Sequence, residues 1–332
     1  MGILAGIDEA GYGPHLGPLV VAAAAFEFAA TLPDPDLWQA LAPHVTKQPS
    51  RRAGAVVICD SKVAYTSGGR LATLERTVLG FLAAAGQRPR TFAELLDAVA
   101  VRPGADGRAA HAPWETPQTI LLPVDASAGE VDAAAEHLVQ GLAAIGARPA
   151  GLWVNTASAA RLNGLMDGRR NKAAALFTLA ADLLGEILRR GAGAPIHVMM
   201  DRHGGRRYYA DLLSGAFPMT TVEAVEESPA QSRYRLLHGG LATGDAEAVV
   251  GAVTLTVRER CEECSTATAL ASMAAKYVRE LAMLQLNAYF QSRVPGLRPT
   301  AGYGLDAWRF LDDTAAARAA AGVPDAAILR SR

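Results

Sequence analysis

Three stretches of the chain close an apolar run on carboxylates. In "GILAGIDEAGYG", Asp8 and Glu9 stand between an apolar segment and a glycine-rich loop. "APIHVMMD" ends on Asp201, and "GAVTLTVRERCEEC" carries Glu262 and Glu263. Acids at the carboxyl ends of strands meet where an α/β sheet opens onto a crevice. Carboxylates brought together repel one another, so such a cluster calls for a compensating cation. Hard oxygen ligands suit Mg²⁺ or Mn²⁺, and three or four acids can hold two ions about 4 Å apart for in-line displacement at phosphorus. The chemistry implied is hydrolysis or transfer of a phosphodiester. Acids also end strands simply because strands exit to solvent there. Asp8 and Glu9 stand out because Gly11 and Gly13, in "AGYGPHLGP", let the backbone come close to a ligand.

Carboxylates at strand ends require a sheet to carry them. "GILAGID", "PLVVAAAAFEF" and "GAVVICD" read as three neighbouring strands of one sheet core. Residues 68–86 and 130–146 carry apolar side chains at helical spacing. The Pro-, Gly- and Ala-rich segment 100–128 reads as a surface excursion, because the strand-like "AGLWVNT" resumes the pattern after it. A helix over 171–191 ends on two arginines and a glycine, and the strand "APIHVMMD" follows. Residues 220–258 offer three more strands, "TTVEAVEE", "SRYRLLHG" and "GAVTLTVRER", with "GGLATGDAEA" as a turn. After "CEEC" comes a helix of about seven turns. The expected fold is α/β, one mixed sheet flanked by helices.

Half of the 332 residues are apolar, enough for a sizeable core. With 32 basic against 33 acidic residues there is no global basic field, so a nucleic-acid partner must be held by local clusters. Two are present: "DRHGGRRYY" (201–209), with Arg202, His203, Arg206 and Arg207 beside Asp201, and "GRRNK" (168–172). Such clusters also solubilise helix ends, and His203 reads either as a proton shuttle or as a packing residue. Three cysteines, Cys59, Cys261 and Cys264, make no disulfide framework and suit a reducing compartment. A soluble cytoplasmic protein, without signal or membrane span, is expected. The Cys-x-x-Cys spacing of "CEEC" raises zinc or redox chemistry, but no second pair or paired histidines accompany it.

The sequence resembles the ribonuclease HII family in four blocks, in order: "GIDEAGYGPHLGPLVVAA", "CDSK" (59–62), "ALASMAAKYVREL" (269–281) and "PTAGYGLDAW" (299–308). The resemblance implies a ribonuclease H-like mixed sheet flanked by helices. It also implies a catalytic domain over 1–265 with insertions near 90–130 and 205–255, and a helical region, 266–332, packed on it. With the first motif at residue 8, the resemblance leads us to expect the HII side of the family, without the accessory N-terminal domain of ribonuclease HIII.

The family holds two divalent ions on four acids. Asp8 and Glu9 match the first two, and Asp201 takes the third place by its strand context. The fourth falls on Glu262, a glutamate where the family has aspartate, with Glu263 beside it as the alternative. Gly11, Tyr12 and Gly13 correspond to the loop that meets the ribose 2′-hydroxyl, with tyrosine where the family usually carries arginine. Ser61 lies in the Asp-Ser-Lys turn, Lys62 and Lys276 would neutralise phosphates, and Tyr303 would stack on a sugar. The resemblance thus implies a monomeric endonuclease with two Mg²⁺ or Mn²⁺ ions. Its substrate would be an RNA/DNA hybrid or ribonucleotide-containing DNA. A catalytically silent hybrid-binding protein and an actin-like-fold phosphotransferase are the competing readings, separated from it by a cleavage assay and by ATP binding.

Overall fold

Along the first two apolar runs alternate side chains enter opposite faces, and both faces are buried. Leu4, Val20, Ala22, Ala24 and Phe26 enter one core, while Ile3, Ala5, Ile7, Val21 and Ala23 enter the other. Alternation with no polar face means that helices cover the sheet on both sides. The computed structural model describes residues 1–49, 54–67, 71–101, 112–115, 120–167, 171–191, 193–238 and 253–331. In chain order its elements are β1 (Gly2–Ala10), β2 (Leu19–Phe28), β3 (Val45–Thr46), β4 (Val56–Val57), α1 (Ser61–Ser67), α2 (Ala72–Ala84), α3 (Phe92–Val99) and α4 (Ala128–Ala144). β5 (Ala147–Ala157), α5 (Ala159–Met166), α6 (Lys172–Arg190), β6 (Ile196–Asp201), α7 (Ala210–Ala216), β7 (Thr220–Glu227), β8 (Gln231–His238) and β9 (Val253–Arg258) follow. A 3₁₀ turn (Cys261–Glu263) leads into α8 (Thr266–Gln291), α9 (Gly304–Asp313), α10 (Ala315–Ala320) and α11 (Asp325–Ile328).

Among the described residues, seven strands form one sheet in the order β5-β2-β1-β6-β9-β8-β7. β1, β2 and β5 are antiparallel neighbours, β1, β6 and β9 run parallel, and β8 and β7 close the far edge antiparallel. The fold is therefore the expected mixed α/β sheet flanked by helices. Helices α1 to α4 and α8 cover one face, and α5, α6 and α7 the other. A third cluster, including Leu16, Trp114, Phe290, Phe310 and Ile328, joins the C-terminal helices to the end of α8.

α8 lies closest to the sheet. Its N-cap Ser265 Oγ accepts from the Thr268 N–H at 3.2 Å, and its first turn rests directly on Gly6 of β1. A side chain at Gly6 would collide with the backbone of Ala267 and Thr268. The alanines of β2 are small enough to extend the same close approach across the next strand.

One expectation needs correction. "GAVVICD" does not join the main sheet: only Val56–Val57 is extended, paired with Val45–Thr46. The rest of the run lies beneath helices, where the Ile58 carbonyl accepts from Trp38 Nε1 at 2.7 Å and the Cys59 N–H points at Met273 Sδ of α8, 3.5 Å away. A short apolar run reads alike whether a sheet or a helix layer buries it. Before the segment 100–128 stands a helix, α3, whose N-cap Thr91 accepts from the Glu94 N–H at 3.1 Å. Thr91-x-x-Glu94 is a capping signal present in the sequence. Where this segment returns, the fully buried Glu75 accepts the N–H groups of Asp125 and Ala126, each at 2.8 Å, and the Tyr277 hydroxyl at 3.1 Å. Residues 102–111, 116–119 and the turn at 239–248 lie outside the described residues.

Candidate metal centre

The register of β1 against β6 pairs Ile7 with Met200, so the next residues, Asp8 and Asp201, sit side by side at the carboxyl ends of two parallel strands. Ligand oxygens of Asp8, Glu9 and Asp201 all lie within 4.8 Å of one another. Ser272 of α8 donates to the Asp8 carboxyl, and its Oγ is hydrogen-bonded to Ser61 Oγ at 3.0 Å. The close seating of α8 on Gly6 is what brings Ser272 there. Three separate sequence blocks thus meet at Asp8.

Burial, then the charges of Glu9 and Asp201, raise the Asp8 carboxyl well above the usual carboxylate range. Burial and the charge of Asp201 push Glu9 up to about 8. Burial also raises Asp201, against the opposing pull of the N–H groups of Cys261, Arg202 and Arg260. The Cys261 N–H reaches Asp201 Oδ1 at 2.9 Å. Arg260 adopts a left-handed conformation, φ 55°, which turns the chain sharply after β9. Carboxyls whose ionisation burial opposes, and which a cation would offset, form the donor set a hard divalent ion takes.

The two candidates for a fourth acid separate. Glu263 ion-pairs with Arg260 and is exposed, whereas burial and then the charges of Asp201 and Asp60 raise Glu262. Glu262 stands near the cluster but outside the tight group of three. Glu262→Gln is expected to weaken Mn²⁺ binding about tenfold, as removal of a supporting carboxylate does. Glu263→Gln should leave it within a factor of about two, because an exposed ion pair contributes little. A calorimetric Mn²⁺ titration measures both, and equal effects would remove the distinction.

The glycine loop runs beside these acids. Gly11 has φ +87°, and a Cβ there would stand 2.6 Å from Arg279 Nε. Tyr12 lies beneath Lys172, whose Nζ is 4.9 Å from the ring centroid. Gly13 faces Tyr303, and Tyr303 is half-exposed with the Arg279 guanidinium 5.5 Å from its ring. Lys62 is exposed on α1. Lys276 stands over the Tyr65 ring and pairs with Glu280 at 2.7 Å, so its charge is largely matched within the protein.

The basic stretch after Asp201 divides. Arg202 is buried against Glu259 and the Pro229 carbonyl, both at 2.9 Å. His203 is 1% exposed, packed against Phe177 and Tyr209, and burial drives its pKa down to about 3. These two are packing residues. Arg206 is half-buried and Arg207 exposed; residues 168–170 of the second basic stretch lie outside the described ones. Cys261 is buried and hydrogen-bonded to the Cys264 thiol, and no cysteine belongs to the group of potential metal ligands found among the described residues. Sequence reasoning missed the buried Arg279 and Arg330 behind the loop. Arg279 lies inside a recognised block, whereas no local pattern marks Arg330.

No protein-family model matches this chain, and no curated protein matches it. Among solved structures, the chain is similar to a ribonuclease HII from Archaeoglobus fulgidus in complex with PCNA. That match has 14% identity and a TM-score of 0.42, and covers 99% of this chain and 94% of that one. It is similar to a ribonuclease H2 from Pyrococcus horikoshii OT3 at 12% identity and a TM-score of 0.40, covering 98% and 92%. It is also similar to Bst-RNase HIII in complex with Mn²⁺ at 14% identity and a TM-score of 0.42, covering 99% and 66%.

Proposed function

We propose that the chain is a divalent-metal-dependent endoribonuclease of the ribonuclease H type 2 kind. It would hydrolyse the RNA strand of RNA/DNA hybrids, or ribonucleotides embedded in duplex DNA, to 5′-phosphate and 3′-hydroxyl ends. The observation that carries this reading is the convergence of Asp8, Glu9 and Asp201 within 4.8 Å. The motif blocks of the sequence support it.

In this reading Asp8, Glu9, Asp201 and Glu262 hold two Mg²⁺ or Mn²⁺ ions. Bound ions supply Lewis acidity at the phosphate and a water of lowered pKa. The chain's own residues orient and select. Ser272 fixes the Asp8 carboxyl, and Ser61 fixes Ser272. The backbone of Gly11, Tyr12 and Gly13 meets the ribose 2′-hydroxyl, the group that separates RNA from DNA. The Tyr303 ring lies against the neighbouring sugar, and Lys62 faces phosphates. The protein acts as a monomer in the cytoplasm, with α8 and the C-terminal helices part of one catalytic body. No helix among the described residues is long and apolar enough to cross a membrane.

The test uses end-labelled duplexes: one with a single ribonucleotide, one with a full RNA strand, and one all DNA. Each is incubated with Mg²⁺, Mn²⁺ or EDTA. Cleavage of either ribonucleotide-containing duplex with metal, and of none in EDTA, is expected. Tight hybrid binding without cleavage under any metal would instead make this a binding protein and overturn the enzymatic reading.

A further inference from the structure

The segment "AAILRSR" carries no chemical motif, yet it returns to the glycine loop. Leu329 bridges Leu16, and the Arg330 N–H donates to the His15 carbonyl at 3.0 Å. The Arg330 side chain then passes under the loop. Its Nε donates to the Gly17 carbonyl at 2.7 Å, and its Nη1 to the carbonyls of Gly11 and, at 3.4 Å, Pro14. One guanidinium therefore holds three carbonyls of a single loop. Arg330 is 3% exposed, its Nη2 has no partner, and among the described residues no carboxylate pairs with it. Burial and the charge of Arg279 lower its pKa to about 9, which leaves it protonated at neutral pH.

A buried cation without a counter-ion is costly, and a merely structural clamp would be cheaper with a neutral donor. Its position supplies a use. The peptide unit is planar, so the Gly11 carbonyl and the Tyr12 N–H point in opposite directions. Fastening that carbonyl to Arg330 aims the Tyr12 N–H away from the guanidinium. Arg279 packs against Gly11 as well, so two guanidinium groups stand behind the loop, with Glu280 the carboxylate paired with Arg279. Their field favours an anion in front of it.

We propose that Arg330 is a positioning residue, a guanidinium clamp that holds the glycine loop in its substrate-accepting shape and backs it with positive charge. The occupant it serves is a ribose hydroxyl flanked by a phosphodiester, which rests on the proposed function above. Lysine cannot replace it, because a single ammonium lacks the fork that spans three carbonyls.

The test is hydrogen–deuterium exchange of residues 11–17 in substrate-free Arg330→Gln and Arg330→Lys, paired with steady-state cleavage of the single-ribonucleotide duplex. Exchange in 11–17 is expected to rise at least fivefold in both variants while β1 and α8 stay unchanged. KM should rise about tenfold with kcat changed less than threefold. Asn163 offers a gentler release, since its side chain accepts from the Ser331 N–H at 2.7 Å and donates to the Leu329 carbonyl at 2.9 Å. If the Arg330 variants do not fold, Asn163→Ala should still raise exchange in 11–17. Unchanged loop exchange in folded variants overturns the clamp. Failure of the wild type to cleave any duplex would sink the proposed function instead, while exchange still decides the clamp.

Discussion

Asp8→Asn is expected to abolish metal-dependent cleavage, by more than about a thousandfold, and to make the protein more stable in EDTA. The amide keeps the shape and an oxygen that still accepts the Glu9 N–H (2.7 Å), so that donor keeps its partner. What it removes is charge. Asp8, Glu9 and Asp201 each have a folded-state pKa raised by burial, with mutual repulsion adding to it for Asp8 and Glu9. A raised carboxyl pKa means that the folded state resists ionisation that the unfolded chain accepts freely. The contribution of these three carboxyls to stability in EDTA is therefore greatest below the ordinary carboxylate pKa of about 4 and falls as pH rises toward the Glu9 value of about 8. The gain from Asp8→Asn should be absent near pH 4 and fullest near pH 8, on the order of 1 kcal/mol or more and a rise in Tm of about 2 °C or more. Calorimetry in EDTA across that range measures it, and destabilisation at pH 8 would refute the electrostatic account. The same linkage makes Mn²⁺ binding release protons at pH 7, with affinity rising as pH rises toward the Glu9 value of about 8.

Gly6→Ala is expected to be the most damaging single methyl group in the chain. The added Cβ would enter the space of the Ala267 carbonyl carbon and the Thr268 nitrogen, which are helix backbone and cannot rotate aside. β1 is held on its other sides by β2 and β6, so neither partner can yield alone. A loss of more than about 3 kcal/mol is expected, at the upper end for overpacking, read as a collapse of the denaturation midpoint or of soluble yield. Gly13→Ala is the control. Its Cβ would meet Tyr303 Cε1 at 3.8 Å, an ordinary contact, so stability should stay within about 0.5 kcal/mol. Wild-type stability for Gly6→Ala would mean that α8 does not press on β1 as described.

The two predictions differ in how far the chain announced them. Asp8 and Glu9 stand in a short motif with their own glycines, and the run before them has the composition of a buried strand. Asp201 follows from strand context, and α8 from its unbroken helical spacing. Gly6 sits inside the same opening run, and nothing local distinguishes it from a small residue in any strand. "GAVVICD" was misleading, because hydrophobicity records burial and not the partner that buries.

Local chemistry, then, was written in the chain: which segments alternate, which helix is long and buried, and which acids stand at strand ends. Those properties depend on residues a few positions apart, which a sequence displays directly. The tertiary structure decided what depends on separation in space. It set Asp201 beside Asp8 through the parallel register of β1 and β6, and it turned Glu263 to Arg260 while leaving Glu262 near the acids. It matched Lys276 to Glu280, buried His203 among aromatic rings, and brought Arg330 from the far end of the chain under Gly11. Each of these is a pairing of partners whose charges and hydrogen bonds acquire their strength only once folding removes the water between them.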